Sequence, residues 1–175
     1  VTVRDVLLVT QRLEMVRRMT SEIDEYVVEL GADGRLLDLQ LQEVVTGVGS
    51  DQVLLLRDYL PDSDGYEATI TVLDEAEDAA LVDLLQLGQL MALASDIEGL
   101  DRPLSPRGYR LLGRVPRLPE PVVQRLIEHF GSLQKLLAAS IDDLQSVDGV
   151  GEARARSVRD ALSRLAESSI LDRYQ

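Results

Sequence analysis

The segment Val147-Asp148-Gly149-Val150-Gly151 sets two glycines around one aliphatic residue, between stretches whose apolar residues recur at helical spacing. It reads as a tight hairpin opening a helix. Glycine supplies positive φ angles and a bare backbone, and the helix that follows contributes the partial positive charge of its N-terminus. Such a hairpin can offer N–H groups to an anion, most often a phosphate. A lone Gly-x-Gly fits equally well as the end of one helix and the start of the next, so the surrounding sequence has to decide.

An offset of 32 residues lays the C-terminal part on itself, apolar on apolar: Tyr109 on Ile141, Leu112 on Leu144, Val115 on Val147, Leu118 on Val150, Leu126 on Val158 and Phe130 on Leu162. Each unit is helix, five-residue hairpin, helix, with Arg117-Leu118-Pro119 in the place of Gly149-Val150-Gly151. The central Leu118 and Val150 are expected in the core, with the flanking N–H groups facing out. Pro119 has no N–H, so the first hairpin offers one donor fewer, and Arg114 and Arg117 are the candidates to compensate. Helices are expected at 120–130, 133–138, 141–146 and 152–167. Gly131 ends the first of these, Ser132 starts the second, and Ser140 with Asp143 forms a capping box for the third. Arg154 stands in a first helical turn, where a cation opposes the helix dipole. A bound phosphate, or pairing with Asp148 or Glu152, would account for it. On a helical wheel Ala155, Val158, Leu162 and Leu165 form the buried face, with Arg154 and Arg159 at its margins and Arg156 and Arg164 outside it.

Charge divides the chain at the same place. Residues 1–104 hold seven arginines against 22 acidic residues, a net charge of −15, whereas residues 105–175 hold 11 cations against nine acids, a net of +2. Ten of the eleven cations are arginine, whose planar fork suits phosphate. The overall −13 argues against a nucleic-acid partner only as an average. The absence of cysteine excludes disulfides and thiolate metal sites and fits a reducing compartment. No apolar run reaches the length of a membrane span, and a start at Val1 without a leader suggests an internal or C-terminal piece of a cytoplasmic protein.

Two domains are therefore expected, 1–104 and 105–175. In the first, Val6, Val9, Leu13, Val16, Ile23, Val27 and Leu30 follow a heptad spacing broken only at Thr20, so one long helix should run from Val3 to Gly31, as a spine, an oligomer seam or a packed element of its own domain. Further helices are expected at 35–46, 51–60 and 75–94, with extended chain at 67–73. Residues 95–104 read as the linker, and Ser105-Pro106 as the N-cap and first position of a helix opening the second domain.

Other constellations carry less. Gly47-Val48-Gly49 fits a hairpin pattern, but Asp51 follows it and Arg57 is the only nearby cation. The run Asp74-Glu75-Ala76-Glu77-Asp78 contains potential metal ligands, yet carboxylates in a first helical turn ordinarily complement the dipole. Asp62-Ser63-Asp64-Gly65 lacks the glutamate of a calcium loop, Thr71 standing in its place. His129 is the only histidine, and no phosphate-binding Gly-Lys-Ser/Thr loop occurs. The residues point to no catalytic site and no metal site.

Leu144-x-x-Val147-x-Gly149-Val150-Gly151-x-x-x-Ala155-x-x-Val158 is similar to the helix-hairpin-helix consensus, which implies backbone contact with DNA phosphates and little sequence preference. On this resemblance the DNA-binding residues are Gly149, Val150, Gly151 and Arg154, with Arg114, Arg117 and Leu118 in the weaker hairpin. Tandem domains of this kind occur in several bacterial repair proteins, the excision nuclease subunit UvrC among them. Val1-Thr2-Val3-Arg4-Asp5-Val6, Gln11-Arg12-Leu13-Glu14-Met15-Val16-Arg17-Arg18, Val28-Glu29-Leu30-Gly31, Arg57-Asp58-Tyr59 and Pro106-Arg107-Gly108-Tyr109-Arg110-Leu111-Leu112 further resemble the DNA integrity scanning (DisA) family of diadenylate cyclases. The resemblance implies an all-α pair of domains, a helical linker followed by a tandem helix-hairpin-helix domain.

It also implies binding of branched or damaged DNA, a homo-oligomeric full-length protein and a cytoplasmic, nucleoid-associated location. A separate domain would make cyclic di-AMP from ATP with a divalent metal. That domain's Asp-Gly-Ala and Arg-His-Arg motifs do not occur here; Gly31-Ala32-Asp33-Gly34 has similar letters in the wrong order and reads as a turn. No cofactor is expected for these residues. The alternatives are a protein-interaction or oligomerisation module built on the heptad helix and acidic surface, and a UvrC-like targeting domain.

Overall fold

A computed structural model describes residues 1–29, 35–61 and 65–171. The chain forms two compact units, Val1–Leu104 and Ser105–Gln175. Among the described residues the regular structure is helical, apart from an isolated antiparallel bridge between Thr2 and Pro103. Leu30, the turn at Gly31-Ala32-Asp33-Gly34 and Asp62-Ser63-Asp64 lie outside the described residues, as do the side chains of Val27 and Leu165.

The first unit is built on α1 (Val3–Glu29) and α2 (Arg35–Tyr59), which pack along one another; α3 (Tyr66–Glu75), α4 (Asp78–Val82), α5 (Leu84–Leu90) and a 3-10 turn at Glu98–Asp101 complete it. α1 buries Val3, Val6, Leu7, Thr10, Glu14 and Thr20 and packs Leu13 against the core, so the heptad holds at Val6, Leu13 and Thr20, whereas its Val9, Val16 and Ile23 are exposed. Thr10 is accommodated because its hydroxyl donates to the Val6 carbonyl at 3.0 Å. This half of the long helix is therefore a packed element of its own unit.

Glu14 is a buried carboxylate whose place in the core the apolar pattern gave no reason to expect. It accepts from Arg17 Nη2 at 2.7 Å, Arg18 Nε at 3.0 Å and Gln52 Nε2 at 3.1 Å. Burial works against its charged form, yet the hydrogen bonds from Arg17 and Arg18, the Arg17 charge and the Gln52 amide together hold its pKa below the ordinary glutamate value. Arg17 also pairs with Asp74 at 2.6 Å. Arg18 pairs with Asp78 at 2.6 Å and donates to the carbonyls of Leu73 and Ala76. The acidic run that invited a metal reading thus supplies partners to two arginines, and among the described residues no group of three or more His, Cys, Asp or Glu is placed to hold a metal ion.

Three expectations are corrected here. The two helices expected at 35–46 and 51–60 are one, α2, which runs unbroken through Gly47-Val48-Gly49, so the hairpin pattern set aside there is indeed none. Each glycine costs a helix about 1 kcal/mol, but burial of Gln52, Leu55, Leu56 and Tyr59 one to three turns on favours an unbroken helix. The supposed extended segment 67–73 belongs to α3, where Thr69 and Thr71 hydroxyls donate to the carbonyls of Gly65 and Glu67 and Leu73 is buried. Residues 95–104 are part of the first unit's packing: Leu100 is buried, Val3 N donates to the Arg102 carbonyl at 2.9 Å, and Leu104 N donates to the Val1 carbonyl at 2.8 Å.

The second unit runs α6 (Tyr109–Leu112), α7 (Glu120–Phe130), α8 (Leu133–Ala138), α9 (Ile141–Gln145) and α10 (Glu152–Leu171). Ser105-Pro106 starts no helix; α6 begins only after Gly108, and the Pro106 carbonyl instead accepts from Leu133 N at 3.2 Å. Elsewhere the local signals hold. Gly131 ends α7 at φ +69°, and the Ser132 hydroxyl accepts from Lys135 N. The capping box is present: Ser140 Oγ accepts from Asp143 N at 3.1 Å, and the Asp143 carboxylate accepts from Ser140 N at 2.9 Å. Tyr109, Leu112, Val115, Val122, Val123, Leu126 and Ile127 from the first half, with Leu144, Val147, Val150, Ala155, Val158 and Leu162 from the second, form the buried interior.

Candidate functional site

The two hairpins share one backbone pattern. Val115 N donates to the Leu112 carbonyl and Leu118 N to the Val115 carbonyl; thirty-two residues on, Val147 N donates to Leu144 and Val150 N to Val147. Val123 N reaches the Pro119 carbonyl as Ala155 N reaches that of Gly151, so Pro119 and Gly151 both open the helix that follows. The left-handed position falls on Arg117 in the first hairpin and on Gly149 in the second, at φ +60° and +82°. Gly151 has no positive φ, and a Cβ there would meet nothing within 4 Å. The two glycines therefore differ: Gly149 satisfies a backbone requirement, whereas Gly151 leaves space open in front of the helix.

Val150 is buried at 5% exposure, and Leu118 is half-buried, so the second central residue fills the core more completely than the first. Around Val150 the hairpin presents its backbone outward. Among the described residues the N–H groups of Gly149 and Gly151 have no protein acceptor. Two guanidinium groups hold the hairpin's carbonyls: Arg125 Nε donates to Asp148 O at 2.8 Å, and Arg154 Nη1 donates to Gly149 O at 2.7 Å. Arg154 thus pairs with neither Asp148 nor Glu152; Glu152 is taken by Arg156. Arg114 and Arg117 are exposed, and among the described residues their side chains have no partner.

Arg125 was not among the residues singled out from the sequence. It lies 23 positions from Asp148, on the helix of the other hairpin, and no local spacing connects the two. Its half-buried place beside the apolar stripe of α7 was the one available sign. Arg159, at the margin of the α10 stripe, has a structural role: its Nη1 donates to the carbonyls of Leu137 and Ala139 at the end of α8. His129 is exposed, with its ring edge-on to Phe130 at 4.8 Å.

The arrangement can bind an anion by backbone donors in a cationic setting, with a second, guanidinium-based contact at the first hairpin. Family models match both units of the chain. Residues 1–99 match the model of the DisA bacterial checkpoint controller linker region, and residues 115–171 match that of the helix-hairpin-helix motif. The chain belongs to the DisA family. It is 58% identical to the DNA integrity scanning protein DisA of Streptomyces griseus over 99% of its length, 58% identical to that of Frankia alni and 59% identical to that of Kineococcus radiotolerans. It spans about half the length of these relatives, 48% of the first and 49% of the other two. The match over 1–99 separates the DisA reading from the UvrC-like one, and the fold is the expected all-α linker followed by tandem helix-hairpin-helix elements. Among the described residues no helix is long and apolar enough to cross a membrane.

Proposed function

We propose that this part of a DisA protein binds DNA through its phosphates, with little dependence on base sequence. The observation that carries the reading is the second hairpin, whose Gly149 and Gly151 N–H groups are open while Arg125 and Arg154 hold the carbonyls of Asp148 and Gly149. Arg114 and Arg117 supply the second contact, Leu118 and Val150 shape the turns, and the +2 charge of residues 105–175 favours a polyanion. In the full-length protein this binding regulates a diadenylate cyclase that forms cyclic di-AMP from ATP with a divalent metal, in a homo-oligomer at the nucleoid. The residues present here do not fit that chemistry, since neither cyclase motif occurs among them. Branched or damaged DNA is the preferred form.

Fluorescence anisotropy with duplex and four-way junction DNA at several salt concentrations tests the reading. The expected result is binding that weakens with a log–log slope of roughly 0.9 per phosphate neutralised, is indifferent to sequence and is tighter for the junction. Salt-insensitive binding, or none, overturns it.

Exposed Met15, Val16, Met19 and Ile23 on α1, with Leu37, Leu39 and Val44 on α2, favour a second reading, self-association through these helices. Light scattering on the 175-residue chain distinguishes the two: a monomer that binds DNA leaves only the first, and a DNA-silent oligomer only the second.

A further inference from the structure

We infer that Arg125 is the positioning residue of the second hairpin, holding the Asp148–Gly149 peptide so that the Gly149 N–H faces the bound phosphate. This assignment rests on the DNA-binding reading above. In a trans peptide the C=O and N–H point in opposite directions, so whatever fixes the carbonyl also aims the amide. Arg125 Nε donates to the Asp148 carbonyl at 2.8 Å, which turns the Gly149 N–H to the opposite side. On the next peptide Arg154 Nη1 holds the Gly149 carbonyl at 2.7 Å, while the Val150 N–H is consumed within the turn by the Val147 carbonyl at 3.0 Å. Of the two peptides flanking Gly149, one is closed inside the turn and the other is left open, and an arginine holds each carbonyl.

Charge adds to geometry. A cationic donor on a carbonyl polarises its peptide and makes the N–H a stronger donor. Among the described residues no carboxylate pairs with Arg125, so its charge stays available to the hairpin. Space has been made for it: a Cβ on Gly149 would stand 2.7 Å from Arg125 Nη2. The residue 32 positions on from Arg125 is Ser157, and the first hairpin carries Arg117 at its own left-handed position, so the device belongs to the glycine hairpin alone.

The test compares wild type with Arg125→Met, which keeps the aliphatic stem, and Arg125→Lys, which keeps the charge but loses the planar fork. Anisotropy titrations over a range of salt concentrations are run beside the amide resonance and hydrogen exchange of Gly149 without DNA. The expected result for Arg125→Met is about tenfold weaker binding at every salt concentration with the slope unchanged, the loss of one charge-assisted hydrogen bond. The Gly149 amide should shift and exchange faster, and Arg125→Lys should restore only part of the affinity. A slope shallower by about 0.9 would make Arg125 a direct phosphate ligand and overturn the positioning role. Full affinity in Arg125→Met overturns the assignment while leaving DNA binding intact. Absence of wild-type binding overturns the DNA reading, and this assignment with it.

Discussion

Arg117 and Gly149 stand at the same position of two successive hairpins, and both hold a left-handed backbone, at φ +60° and +82°. For glycine that conformation is free of strain; for arginine it costs on the order of 1 kcal/mol. The first hairpin keeps an exposed guanidinium at a strained position where its sequence repeat carries the unstrained residue. The phosphate contact proposed for this side chain would account for the strain.

Arg117→Gly should accordingly separate stability from binding. Urea unfolding is expected to show a gain of up to about 1 kcal/mol. DNA affinity should fall, with a salt slope shallower by about 0.9, because a direct phosphate contact is lost. Unchanged affinity and slope would remove Arg117 from the interface.

Gly149→Ala and Gly151→Ala should differ in kind. At Gly149 a side chain meets both the positive φ and Arg125, so a loss of about 1–2 kcal/mol is expected in equilibrium unfolding. At Gly151 the added methyl has no neighbour within 4 Å, and the cost should stay below about 1 kcal/mol, the difference between glycine and alanine before a helix. Binding should weaken in both, measured by anisotropy. Retention of full affinity by Gly151→Ala would show that no phosphate approaches that end of the helix.

Ser140→Ala removes the capping box of α9 without touching either hairpin's donors. Thermal unfolding should report a loss of about 1 kcal/mol, with DNA affinity and salt slope unchanged. A parallel loss of affinity would indicate that the cap positions the second hairpin.

Glu14→Gln tests the buried charge network of the first unit. Arg17 and Arg18 keep part of their exposure, which screens the loss, so a destabilisation of about 2 kcal/mol is expected rather than the full cost of an isolated buried charge. Because the Glu14 pKa is lowered in the folded chain, its contribution is complete above the ordinary glutamate value of 4.5 and is lost as pH falls through the lower folded value. Denaturation followed from pH 7 to pH 3 should therefore show a steeper acid loss in wild type than in Glu14→Gln. Equal slopes would mean that Glu14 titrates alike in the folded and unfolded chains.

The second unit was the more legible of the two because its signals are local. Glycine at a left-handed position, Ser140 with Asp143, and an apolar repeat at a fixed offset each act within one turn of the chain, and α7, α8 and α10 begin where those signals place them. Gly47-Val48-Gly49 shows the limit: the same letters as a hairpin became the middle of α2, because burial beyond them favoured an unbroken helix. The heptad of α1 held only in part: Val6, Leu13 and Thr20 face the core, but Val9, Val16 and Ile23 do not, and Val3, Leu7, Thr10 and Glu14 are buried beside them.

What the sequence by itself determined was the helical class, the caps at Gly131, Ser132 and Ser140 and the turns of the two hairpins, since backbone stereochemistry and short-range hydrogen bonds decide these within a few residues. Tertiary structure alone decided that Glu14 would be buried against Arg17, Arg18 and Gln52, and that Arg125 would hold the carbonyl of Asp148. Those partnerships join residues brought together by packing, and a side chain's donor finds its acceptor only after the apolar faces have set the distance between their helices.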